Sequence, residues 1–119
     1  MPKPEIEFVE PASVFDWRPV AGDLTGLLRE MILSEDPETG DYSRLLSFPP
    51  GTDTSPNGTL RHDTWEEVVI LEGSITDLRL GEEFGAGYYA CRPPGMAHGP
   101  WIAPDGAVTF EIRYRRPPP

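Results

Sequence analysis

Cysteine is nearly missing from this 119-residue chain, where Cys91 stands alone. No internal disulfide can form, so nothing covalent staples the fold and no oxidising compartment is implied. Cys91 lies in the strand-like run YYACR, which predicts a small buried hydrophobe and not a nucleophile. Basic residues are also scarce: ten face twenty acids, for a formal charge of −10. Such a surface repels phosphate backbones and excludes nucleic acid as a partner. No apolar run approaches the roughly 20 residues of a membrane span, and the start, MPKPEIEFVEP, lacks a basic segment followed by an apolar core. The expectation is a cytoplasmic protein with no membrane partner. A glycine-rich phosphate loop and a serine nucleophile elbow are both missing, which sets nucleotide and serine-hydrolase chemistry aside.

What the chain does have is punctuation, with 15 prolines and 12 glycines. Together with 38% apolar and 10% aromatic residues, they predict many short elements around one core in a single domain. Residues 1–25 carry five acids, four prolines and Trp17 without periodicity, and read as an arm packing on that domain. Residues 26–116 read as the domain proper and 117–119 as a proline tail; RPPP should leave the sheet because proline cannot donate to a ladder. GLLREMILS is read as a strand, because the turn signal EDPETGD leads into YSRLLSF at hairpin distance. TLRHDTWEEVVILEGSITDLRLG reads as a hairpin turning at Glu72-Gly73, and EEFGAG as the next turn. YYACR and AVTFEIRYR supply further strands, with PPGMAHG a tight corner between them. The fold class is all-β, a sandwich or barrel.

The chemistry gathers at two places. His62 precedes Glu66 by four residues at the start of a strand whose alternation sends Glu66, Val68 and Ile70 to one face and Glu67, Val69 and Leu71 to the other. His98 lies in the Pro/Gly corner. Gly87, Pro93, Gly95 and His98 match the second motif of the cupins, which are small jelly-roll barrels; Ile102 stands where that motif ends in asparagine. His62, Glu66 and Gly73 match the second histidine, the glutamate and the glycine of the first motif, with Leu60 in place of its first histidine. In SEDPETG, FPPG and VILEGSITDL the chain further resembles the single-domain cupins related to the sensor domain of zinc-dependent anti-sigma factors.

The resemblance implies a jelly-roll barrel in which His98 meets His62 and Glu66 at the mouth. Two imidazoles and one carboxylate are the ligand complement of a facial triad, so one divalent ion is implied, with iron favoured and zinc, nickel or manganese able to occupy the same set. The alternative is that His98 caps backbone groups and Glu66 pairs with one of nine arginines at the surface. Pocket candidates are Leu60, Trp65, Glu67, Arg92, Met96, Trp101, Ile102 and Arg113. Arg61, Arg92 or Arg113 could hold a substrate carboxylate. Trp65 and Trp101 could wall the pocket or pack in the core or a dimer interface. Three functions remain open: a dioxygenase-like enzyme acting on a small oxygenated molecule, a zinc or nickel lyase or isomerase, and a metal-free ligand-binding or sensor module. A homodimer through the apolar faces of VVIL is expected.

Overall fold

Glycine and proline corners cut the chain into short strands that can bury one face only by curling around a common core. In a computed structural model, which describes residues 3–115, the first elements are helix α1 (Pro11–Val14) and the edge strand β1 (Arg18–Pro19). Then come β2 (Arg29–Glu35), β3 (Tyr42–Phe48), β4 (Thr52–Asp53) and β5 (Trp65–Asp77). The last four strands are β6 (Glu82–Gly85), β7 (Tyr89–Arg92), β8 (Trp101–Ala103) and β9 (Ala107–Tyr114). The order is β1-β2-β3-β9-β5-β8-β4, with β6 and β7 also paired to β5. Strand β5 is the spine of the fold. Its first half pairs with β7 and β9, its second with β6 and β8, all antiparallel.

That continuity corrects the expected hairpin at Glu72-Gly73. The chain does not turn there; a bulge between Ile70 and Glu72 shifts the register against β9 and bends the strand from one half of the sheet into the other. Gly73 makes the bend possible, with φ +72° and an approach so close that a Cβ would lie 2.1 Å from the Gly106 carbonyl oxygen. The turn comes after β5 instead, where Asp77 Oδ1 accepts from the backbone N–H of Arg79 and of Leu80. Likewise EEFGAG is a strand, β6, for its first four residues and a turn only at its end. The first long strand starts at Arg29 and not at Gly26, because the Asp23 carboxylate accepts from the N–H groups of Thr25 and Leu28 and holds that stretch as a loop. Cys91 is exposed, against expectation, since it pairs in register with Glu67 and shares its outward face. The arm enters the sheet at β1, paired to β2. The RPPP stretch lies outside the described residues.

The buried apolar cluster joins Leu28, Leu46, Phe48, Ile70, Ile75, Ala103 and Ala107, each large member contributing about 1.5–3 kcal/mol. Register explains what lies beyond it. Leu46 pairs with Thr109 and Phe48 with Ala107, whereas two residues further along the same inward rows Arg44 pairs with Glu111, and Tyr42 with Arg113. Strand β5 adds Glu66 opposite Arg113. One end of the barrel interior is thus apolar and the other charged.

Candidate functional site

A cavity of about 330 Å³ opens at the charged end. Leu28, Phe48, Leu60, Val68 and Trp101 form apolar wall, and Glu66, Arg92, His98 and Arg113 supply the polar groups. Residues Val20 to Leu24 also border it, so the arm completes one side.

Glu66 reaches the cavity by strand alternation and is buried. His98 arrives from the loop after β7. Its backbone exchanges two hydrogen bonds with Leu60, 2.7 and 3.0 Å long, and Gly95 N–H donates to the His62 carbonyl at 2.8 Å. These contacts tie the two motif loops together and set Leu60 directly opposite His98. The imidazoles of His62 and His98 stand 4.7 Å apart between centroids, and His98 Nε2 lies 3.9 Å from Glu66 Oε1. One donor atom from each of His62, Glu66 and His98 lies within 4.8 Å of the other two.

The donor set suits a divalent cation on two counts. His98 Nδ1 is 3.2 Å from the Met96 carbonyl, a bond that fixes the tautomer with Nε2 as acceptor. His62 Nε2 is buried with no partner, a cost that a bound ion would remove. Burial, reinforced by the Arg113 charge, pushes the His62 imidazole down to about 4. Burial also lowers His98, although its bond to Met96 opposes the shift. Both rings are neutral near pH 7, the form that ligates.

Glu66 is not free. Arg92 Nη1 donates to Oε1 at 2.6 Å and Arg113 Nε to Oε2 at 2.5 Å. Burial raises its carboxyl, but the charges of Arg113 and Arg92 outweigh burial and hold it below the usual range. The arginine pairing considered from sequence therefore exists, but inside the barrel. Each guanidinium also lies near an aromatic ring, Arg92 5.6 Å from Trp101 and Arg113 5.8 Å from Tyr42. A second buried group escaped the sequence reading. Arg44 donates to Glu111 through Nε and Nη2, at 3.0 and 2.8 Å, and to Glu30 through Nη1 at 2.7 Å. The alternation of TFEIRY carries its signal, because Thr109, Glu111 and Arg113 share one face.

Other candidates fall elsewhere. Glu67 faces outward and accepts from the hydroxyls of Tyr89 and Tyr114, so it cannot orient a substrate in the cavity. Trp65 shares that outer face and stacks on Tyr114 at 6.5 Å. Ile102 pairs with Asp53 and Thr76 and borders neither this cavity nor the adjoining one, since its neighbour Trp101 takes the wall position. Arg61 is exposed and donates to the Gly95 carbonyl. Met96 borders the adjoining cavity of about 230 Å³, which shares Arg92, His98 and Trp101 with the first.

A curled antiparallel sheet whose two motif loops bring paired imidazoles and a carboxylate to its open end is a cupin. The model of the ChrR cupin-like domain family matches residues 7–115, and the chain belongs to that family. Solved structures carry the same fold. An RmlC-like cupin from Shewanella frigidimarina is 17% identical with a TM-score of 0.70, covering 98% of this chain and 96% of the other. An acetylacetone dioxygenase from Acinetobacter johnsonii is 15% identical with a TM-score of 0.69, covering 93% and 74%. The complex of Rhodobacter sphaeroides SigE with the anti-sigma ChrR gives 22% identity and a TM-score of 0.62, covering 84% of this chain and half of the matched chain. No curated protein matches in sequence. Among the described residues, no helix is long and apolar enough to cross a membrane.

Proposed function

We propose that this cupin holds one divalent ion on His62, Glu66 and His98 and acts, in the manner of a dioxygenase, on a small oxygenated organic molecule. The observation that carries the reading is the convergence of three donor atoms within 4.8 Å around a buried, unpartnered His62 nitrogen. When bound, such an ion polarises a substrate oxygen as a Lewis acid and, as iron, adds a redox couple. The residues do the rest. His62 and His98 present neutral nitrogens, while Glu66 supplies the single anionic donor, already oriented by its two arginines. Leu60, Val68 and Phe48 keep part of the cavity wall dry and set the apolar contact of the substrate. Iron is the favoured ion; zinc, nickel or manganese would turn the same donors toward lyase or isomerase chemistry.

A second reading, ligand binding without turnover, is supported by family membership, since a similar domain occurs in an anti-sigma protein. The same proposal includes a cytoplasmic homodimer packed through the outward Val69 and Leu71 of β5, which a monomeric mass in solution would overturn. The deciding experiment is elemental analysis of protein purified without a histidine tag, beside His98→Ala. The expected result is about one metal per chain, lost in the variant. Iron with oxygen uptake on a diketone or catechol supports the dioxygenase reading. No metal in either protein, even after anaerobic loading with all four ions, overturns it.

A further inference from the structure

We propose that the barrel cavity takes a small organic carboxylate with an apolar body, held by the free edges of Arg113 and Arg92. The proposal names the substrate class of the site above and rests on that reading for turnover, although not for binding.

Glu30 and Glu111 are answered by Arg44 inside the barrel and by Arg18 at its rim, two acids to two bases. Asp23, also at the mouth, is occupied by Asn57, Thr25 and the Leu28 N–H. Glu66 alone answers both Arg92 and Arg113, whose side chains keep only 13% and 19% of their exposure. Around Glu66, therefore, two guanidiniums share one carboxylate, while the Asp23 carboxylate at the mouth keeps its own charge among neutral donors.

Donor counting agrees. Arg113 uses only Nε and Arg92 only Nη1. Among the described residues no protein acceptor takes the two Nη groups of Arg113 or the Nε and Nη2 of Arg92. A guanidinium with its paired Nη groups free matches a carboxylate bidentately. Tyr42, near the Arg113 guanidinium, and Trp101, near that of Arg92, limit how far either group can swing. Beside the paired Glu30, Arg44 and Glu111, the wall carries Leu28, Leu46, Phe48, Val68 and Ile75, an apolar stretch that suits an aryl or branched alkyl group.

The test uses the full chain stripped of metal by a chelator, in low salt, titrated calorimetrically with benzoate and with its neutral isostere benzamide. Benzoate should bind at least about tenfold tighter than benzamide. Arg113→Leu should weaken benzoate about tenfold or more and leave benzamide unchanged, and Arg113→Lys should recover part of the loss. Equal affinity for the two isosteres, or no benzoate binding up to about 10 mM, a free energy below about 3 kcal/mol, overturns the proposal. Should Arg113→Leu fail to fold, the comparison of isosteres on the unaltered protein still decides. Because the protein is metal-free, an anion result either way leaves the metal analysis intact, and the two ideas can fail separately.

Discussion

At the residue scale, the centre is a competition for one carboxylate. Glu66 is the anionic donor that a divalent ion would need, yet both its oxygens already accept from guanidinium groups. The imidazoles have no such competitor. That difference makes the histidines the pH-sensitive members of the site. His62 is held at about 4 in the folded chain against an ordinary 6.5, so between those values the unfolded state binds a proton that the folded state does not. Stability from this group is complete above about pH 6.5 and is lost as the pH falls toward 4. Glu66, lowered by its arginines, adds a loss of the same sign at still lower pH. In urea titrations of metal-free protein at pH 7.0, 5.5 and 4.5, stability should fall with pH. His62→Gln should reduce the fall between pH 7.0 and 4.5 by on the order of 1 kcal/mol, a figure discounted for the ring's partial exposure. An unchanged slope would remove His62 as the source.

At the element scale, β5 decides the architecture. A straight strand of 13 residues would extend beyond the sheet; the bulge at Ile70–Glu72 and the left-handed Gly73 fold it over the core, so that Ile70 before the bend and Ile75 after it both join the buried apolar cluster. Gly73→Ala should destabilise by about 2–4 kcal/mol, because a Cβ meets Gly106 backbone in a conformation that L residues resist. Differential scanning calorimetry or urea unfolding would measure it; a loss below about 0.5 kcal/mol would mean that the bend does not depend on glycine. Sequence patterning showed the strand and divided it into two faces, Glu66, Val68 and Ile70 on one and Glu67, Val69 and Leu71 on the other, because period-two alternation is a local property. The bend was invisible for the complementary reason. Glu72-Gly73 has the composition of a turn, and only the approach of the Gly106 backbone, 33 residues away, makes it a corner within one strand. Motif spacing likewise placed His62, Glu66 and His98, whereas outward Glu67, Trp65 and Ile102 could be assigned a side only once the cross-strand pairs were known. Arg44 with Glu30 and Glu111 required three strands in register, information that no local window holds.

At the scale of the whole molecule, the candidate donors come from three separate parts of the chain: the loop before β5, β5 itself, and the loop after β7. The two loops are joined by short backbone contacts, Leu60 with His98 and Gly95 with the His62 carbonyl, and by the Arg61 side chain, which donates to the Gly95 carbonyl. An ion on His62, Glu66 and His98 would close both loops onto the spine, and since it binds only when all three donors are assembled, its affinity becomes folding free energy. At a free concentration one hundred times its dissociation constant the gain is about 2.7 kcal/mol. For a domain of this size that corresponds to roughly 8–14 °C in Tm. Zinc chloride added to chelator-treated protein should raise Tm by that order, and magnesium chloride should not, because imidazole nitrogen does not suit a hard ion. In His98→Ala the zinc shift should vanish while the starting Tm stays within a few degrees. A zinc shift that survives in His98→Ala would place the ion elsewhere on this acidic surface, and the three-part site would then have no claim to hold the fold together.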